Sequence, residues 1–392
     1  MRRVAFLTAA AAVALLASCG DDGSSLGTNP GGPTPTPTPT PTATATPPTP
    51  STTAVTRTVI ATFDAPWAMT FMPDGRMLVT EKPGKLQLVT QAGAKTEVSG
   101  VPAVVYSGQL GFQDVILDPD FATNSRVYLS YAEAGTGGQR LAVARATLNL
   151  SGAPKLDGLS VIWRATPTTT GGQLGARLAF SPDKKYLFVS TGERQQGSPA
   201  QDMNGTLGKI VRIFPDGSIP TDNPFVSTVG ARPEIWTLGH RNPYGLAFDA
   251  SGRLWEHEMG PMGGDELNLI ERGKNYGWPN VSNGDNYDGT PIPDHSPGDG
   301  YQAPAISWNP VVAPAGLILY SGSMFNGWQG QAIIGGLVSQ GIVRVRIDGV
   351  TGTEVQRISL GARIREVEQG PDGSIWVLED APTGRLVKLM PG

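Results

Sequence analysis

One phrase recurs along this chain and narrows its fold more than any other feature. It reads FMPDGRMLVTE at 71–81, LDPDFATNSRVYLSYA at 117–132, FSPDKKYLFVSTGE at 180–193, FDASGRLWEHE at 248–258 and QGPDGSIWVLED at 369–380. A looser sixth copy is LILYSGSMFNGWQGQAIIGGL at 317–337. Each copy joins an apolar residue to a Pro/Asp/Gly turn and then to an alternating run, which is the signature of a hairpin with one half-buried strand. Six such units several tens of residues apart predict an all-β fold, a six-bladed β-propeller. A β-sandwich would show more even strand spacing and no recurrent phrase. The 51 glycines fit short strands joined by tight turns. The intervals between copies are irregular, so long loops must leave several blades and gather over one end of the central channel.

The repeats sit in residues 55–392, behind two segments of different character. In residues 1–18, Arg2 and Arg3 precede VAFLTAAAAVALL, an apolar run short for a membrane span. The run ends in LASC, which resembles the lipobox of bacterial lipoproteins. That resemblance implies cleavage before Cys19 and acylation of the new N-terminus. It places the protein in the periplasm or cell envelope, lipid-anchored, and Gly20 after the cysteine favours the outer membrane. The alternative is an ordinary secretory signal with an accidental cysteine. Residues 19–54 are Pro/Thr-rich, have almost nothing to bury and read as a disordered, extended tether. Cys19 is the sole cysteine, which removes disulfides and thiolate metal sites from the folded part. A formal net charge of −4 with scattered Lys and Arg argues against nucleic acid as a partner.

Four stretches carry polar residues that strand patterning does not require. They are YSGQLGFQDVILDPDF (106–121) with Gln109 and Gln113, GGQLGARLAFSPD (171–183) with Gln173 and Arg177, GHRNPYGLAFD (239–249), and ARIREVEQGPDG (362–373). In the last, Arg363 and Arg365 are two residues apart and share one face of a strand. Most of these stretches lie just ahead of a repeat, at equivalent points of different blades, so their side chains converge on a common axis. Convergent Arg, Asn and Gln suit a planar anionic ligand, because Arg offers forked donors to carboxylates and quinone oxygens. A fifth stretch, WEHEMGPMGGDELN at 255–268, crowds Glu256, His257, Glu258, Asp265 and Glu266 around bare backbone. Read alone, it is either a solvated acidic turn or a site for a hard cation.

The segments GQLGFQDVILDPDFATN, TLGKIVRI, GHRNPYGLAFD, EMGPMGGDELNLIERGKNYGWP and RIREVEQGPDG, in this order, resemble the soluble pyrroloquinoline-quinone (PQQ) sugar dehydrogenases of the glucose/sorbosone dehydrogenase family. The resemblance covers nearly all of 55–392. It implies oxidation of a sugar or related alcohol with PQQ and Ca²⁺ as cofactors, leaving the electron acceptor unnamed. It further implies that Gln109, Arg241, Asn242 and Tyr287 touch the cofactor, with Arg241 also stabilising charge in catalysis, and that Arg363 and Arg365 pair with the cofactor's carboxylates. Backbone oxygens at Gly260 and Pro261 would bind one calcium; Glu266 and the Tyr276 carbonyl would bind a second, and Asp265 would orient the first site. Calcium takes hard oxygen donors, and carbonyls serve where the backbone comes close. His240 and His257 are then hydrogen-bonded structural residues.

The chain departs from the family pattern in three places. Gln173 stands where the family's catalytic base is a histidine, and a glutamine amide cannot accept a proton at neutral pH. Tyr244 stands where relatives often have Gln, and 333–342 lacks the Lys that many carry there. Glu193 is the alternative base if its side chain reaches the channel. Two other functions stay open: a catalytically weak propeller that binds carbohydrate or a partner at the cell surface, and a calcium-dependent lactone hydrolase, for which no suitable carboxylate ligand cluster is visible in the sequence.

Overall fold

The structure is a computed structural model and describes residues 55–392; the readings on residues 1–54, Cys19 among them, lie outside the described residues. It forms six four-stranded antiparallel sheets arranged as the blades of a propeller. Blade 1 contains Pro66–Phe71, Met77–Glu81, Lys85–Val89 and Lys95–Val98. Blade 2 contains Phe112–Leu117, Arg126–Gly135, Gly138–Asn149 and Lys155–Arg164. Blade 3 contains Gly175–Phe180, Leu187–Thr191, Lys209–Ile213 and Ile235–Leu238. Blade 4 contains Pro243–Phe248, Leu254–Glu258, Asp265–Ile270 and Ile306–Trp308. Blade 5 contains Pro314–Leu319, Ala332–Gly336, Gly341–Asp348 and Thr351–Ser359. Blade 6 contains Ile364–Gln369, Ile375–Glu379 and Thr383–Pro391, and its outermost strand is Val55–Asp64 from the other end of the chain.

Every copy of the repeated phrase is the inner hairpin of a blade: the end of the innermost strand, the turn, and the second strand. The second strands of blades 1, 3, 4, 5 and 6 are buried along their whole length, because neighbouring blades cover both of their faces. Their apolar residues come first and their polar ones last, as in MLVTE and LWEHE. The polar ends lie level with the starts of the innermost strands, and this end of the propeller carries the candidate site.

All six innermost strands bulge at the same place, within their first four residues. A bulge leaves a peptide N–H without its ladder partner. In blades 1 to 3 a hydroxyl on the second strand takes it: Ala68 N–H donates to Thr80 at 3.0 Å, Asp114 N–H to Ser130 at 3.0 Å, and Arg177 N–H to Ser190 at 3.0 Å. Each hydroxyl then donates to the next blade, to the carbonyls of Gln113 (2.6 Å), Ala176 (2.6 Å) and Pro243 (2.9 Å). His257 holds the matching position in blade 4. Its buried ring lies against Gly245, where an added Cβ would be 2.2 Å from Nε2. The ring meets the Ala315 and Gly316 backbone of the next blade, the expected structural role, at contacts less regular than those of the hydroxyls. Burial pushes it down to about 3, and the ring is neutral.

At the bulges the channel is filled by charge. Asp114, Arg177 and Glu366, the third residues of three innermost strands, are all buried. Arg177 pairs with Glu366 and lies 3.5 Å from Asp114, donates through Nε to the Tyr244 carbonyl at 2.8 Å, and lies 4.2 Å over the Trp67 ring. Gly316 leaves room for Glu366, whose carboxylate an added Cβ would meet at 2.3 Å.

Candidate functional site

A closed circuit of contacts runs around the polar end of the channel. Gln109 accepts the Gln173 peptide N–H through Oε1 at 2.7 Å. Gln173 is buried and left-handed (φ 53°), and its own Oε1 accepts the Gln195 N–H at 3.2 Å. Asn242 Oδ1 accepts the Gly175 N–H at 3.3 Å. Tyr244, two residues on, lies under the Arg365 guanidinium at 5.4 Å. Lys82 is close enough to Arg365 for its ammonium to be lowered by that charge as well as by burial, and it donates to the Gly108 carbonyl at 2.7 Å, one residue from Gln109.

Arg363 and Arg365 both clamp Asp380, Arg363 at 2.7 and 2.8 Å on Oδ2 and Arg365 at 2.8 and 3.1 Å on Oδ1. One carboxylate thus aligns two guanidiniums and leaves the patch net positive with Lys82. Arg241 is fixed from its other side. Its Nη1 donates to the carbonyls of Met259 (2.9 Å) and Gly260 (3.0 Å), its Nη2 to the Tyr287 hydroxyl (3.2 Å), and the group lies over the rings of Trp278 and Tyr287. Two buried guanidinium nitrogens of this patch, Arg241 Nε and Arg365 Nη1, have no acceptor among the described residues. These donors fit a planar polyanion such as PQQ.

Residues 255–268 are not a solvated turn. Leu254–Glu258 and Asp265–Ile270 are central strands of blade 4, joined across a Gly-Pro step and two further glycines. An added Cβ at Gly260 would sit 2.1 Å from the Gly263 carbonyl, which explains the bare backbone. Asp265 ties the step down: Oδ1 accepts the Gly260 N–H at 2.9 Å, and Oδ2 accepts those of Val312 and Ala313 at 2.7 Å each. Burial pushes Asp265 up to about 6 despite these three donors. The Gly260 carbonyl is already taken by Arg241, and Pro261 beside it is buried.

The glutamates crowded in 255–268 form a buried carboxylate cluster in the structure. Glu256, Glu258 and Glu266 are buried together on one face of two paired strands, and the ligand atoms of His240, Glu256 and Glu258 lie within 4.8 Å of one another. The sequence crowds these glutamates but does not reveal their pairing, because register, not spacing, sets Glu258 opposite Glu266. A cavity of about 10 Å³, lined by Arg241, Glu258, Gly260, Glu266 and Tyr276 among others, adjoins it. The donors are hard oxygens and suit calcium. His240 is engaged as expected, with Nε2 at 2.9 Å from Thr237 Oγ1, Nδ1 at 3.2 Å from Glu258 and its ring stacked on Tyr276.

Glu193 lies close enough to Arg241 to feel its charge. Its carboxylate accepts the N–H groups of Gln196 and Gly197 and closes its own turn, and burial raises its pKa. Two contributors escaped the sequence reading, Lys82 and Asp380. A signal for them exists: Glu81, Glu193, Glu258 and Glu379–Asp380 end four of the repeated phrases, so charge at this end of the second strand is part of the repeat.

Residues 63–388 match the Glucose / Sorbosone dehydrogenase family. The chain belongs to that family. Among its members, the "Aldose sugar dehydrogenase YliI" of Escherichia coli (strain K12) is 41% identical over 340 residues, 84% of this chain and 90% of that protein. "Quinoprotein glucose dehydrogenase B" of Acinetobacter calcoaceticus is 29% identical over 83% of this chain and 85% of that protein. The PQQ-bound aldose sugar dehydrogenase of Streptomyces coelicolor superposes with a TM-score of 0.70 at 27% identity, covering 87% of this chain and 99% of that one. The family is one of oxidoreductases acting on sugars, and the six-bladed architecture expected from the repeats is its fold.

Proposed function

We propose that this chain oxidises an aldose or a related alcohol with PQQ bound over the polar end of the channel and calcium bound in blade 4. The observation that carries this reading is the cationic circuit itself. Arg241, Arg363, Arg365 and Lys82 converge with Gln109 and Asn242, and two buried guanidinium nitrogens have no acceptor among the described residues. When bound, PQQ supplies a quinone that accepts two electrons from the sugar. Arg241, held by two carbonyls and two rings, offers a fixed positive charge for the oxygen that becomes negative on reduction, and such preorganised charge needs no rearrangement during the reaction. Arg363 and Arg365, aligned by Asp380, pair with the cofactor's carboxylates. Lys82 supplies from blade 1 the cation that 333–342 lacks. Tyr287, 72% exposed beside Arg241, borders the substrate. Gln173 cannot take the hydroxyl proton, so turnover is slow.

Mixing the purified protein with PQQ and Ca²⁺ and following dye reduction over a panel of aldoses tests the reading. Stoichiometric PQQ binding with slow, chelator-sensitive turnover is expected, and failure to bind PQQ overturns it. A carbohydrate-binding role is favoured by one observation, the absence of a base at Gln173. PQQ binding without turnover in any variant would establish it. The lactone hydrolase reading is disfavoured, because the glutamates of blade 4 are buried.

We also propose that Cys19 anchors the mature protein by a lipid in the cell envelope, on the strength of the LASC junction. Cys19→Ser should move the protein from the membrane pellet to the soluble periplasmic fraction. A variant that stays in the pellet rules the anchor out.

A further inference from the structure

We propose that Glu256 is a calcium ligand, making the blade 4 site a three-carboxylate site whose affinity Glu256 sets. This rests on the calcium part of the function proposed above. Cross-strand register pairs Glu256 with Asn268 and Glu258 with Glu266. Alternate strand residues share a face, so the four side chains form one patch. Glu256 and Asn268 are 0% exposed, Glu258 4% and Glu266 6%.

Like charges directly opposite each other across two strands destabilise a sheet, and buried charge without a partner does so more strongly. Among the described residues no Lys or Arg side chain forms an ion pair with any of the three glutamates; the histidines His240 and His295 are their nearest cationic candidates. The Arg241 guanidinium, close by in sequence to His240, points instead to Met259, Gly260 and Tyr287. Within the patch, Asn268 Nδ2 donates to Glu256 at 3.1 Å and to Glu266 at 3.3 Å. Two oxygens remain buried without a hydrogen bond, Glu256 Oε1 and the amide oxygen Asn268 Oδ1. Unpartnered acceptors of both a carboxylate and an amide, beside a cavity lined by Glu258 and Glu266, are the donor set of a hard divalent cation. His240 is not part of that set, since both of its ring nitrogens already have partners. A divalent cation reduces the patch from three formal negative charges to one.

The test uses the full chain without PQQ or sugar. Calcium is removed with chelator, and Ca²⁺ is titrated by calorimetry while the melting temperature is recorded with and without it. Glu256→Gln keeps the shape and removes the charge. It should weaken Ca²⁺ binding at least tenfold and shrink the calcium-dependent rise in melting temperature. Equal affinity in the variant and the wild type overturns the proposal, with Glu256 then serving only as a neutral packing group. A wild type that binds no Ca²⁺ overturns both this inference and the calcium part of the function, and PQQ binding remains separately measurable. If Glu256→Gln does not fold, Asn268→Asp decides: a fourth carboxylate should tighten Ca²⁺ binding, and unchanged or weaker binding rejects the site.

Discussion

Gln173→His is expected to raise the rate of sugar oxidation by the PQQ-loaded protein roughly 10²–10⁴-fold, the usual contribution of a general base. The surroundings favour the exchange. Gln173 has a left-handed backbone (φ 53°), a conformation that histidine tolerates better than most side chains. Its peptide N–H is already anchored on Gln109, so the new ring starts from a fixed point on the rim. Only one side-chain contact, to the Gln195 N–H, is lost, and an imidazole nitrogen can accept it. Glu193→Gln provides the control. Its carboxylate closes the turn at Gln196 and Gly197, so the exchange should lower stability and leave the rate nearly unchanged. A wild type that turns over rapidly and gains nothing from histidine would show that another group removes the proton. A rate collapse in Glu193→Gln would identify that group.

The largest stability effect should come from Arg177→Met, at about 3–5 kcal/mol by denaturant titration, the range for breaking a buried ion pair from one side. The variant keeps some of the packing on Trp67 but leaves Glu366 and Asp114 buried without their cation. Burial already pushes Glu366 up to about 7 with Arg177 beside it. Without Arg177 that push is unopposed. A carboxyl whose folded pKa lies above its unfolded one holds a proton that folding favours, so the stability it confers is lost as pH rises through the folded value. The deficit of Arg177→Met should therefore be smaller at pH 5 than at pH 8. Adding Glu366→Gln should recover part of the loss. An equal deficit at both pH values would mean that lost packing, not lost charge, is the cause.

The blades were legible in the sequence because each inner hairpin repeats one local pattern of turn and alternation, and such patterns need no long-range information. Gln109, Gln173, Arg241, Asn242 and Arg365 were legible for a related reason: they stand just ahead of the repeats, where the topology forces convergence. What escaped depends on pairing. Glu258 meets Glu266 only through strand register, and Asp380 meets two arginines only because the second strand of blade 6 ends beside the start of the first. The direction of Glu193 was not legible, because strand position fixes where a residue sits, while its own turn decides which way its carboxylate goes. Lys82 belongs to a different blade from the segment in which a lysine was sought.

The closing strand has a directional consequence. In its pairing with Thr383–Pro391, Val55 lies opposite Pro391 and Asp64 opposite Thr383. The chain therefore enters the ring at the end far from Arg241 and climbs the outside of blade 6 before starting blade 1 at the level of the site. A pull on Val55 would act on the base of the propeller and run along nine cross-strand pairs. The first described residue and the mouth of the channel thus lie at opposite poles of the propeller.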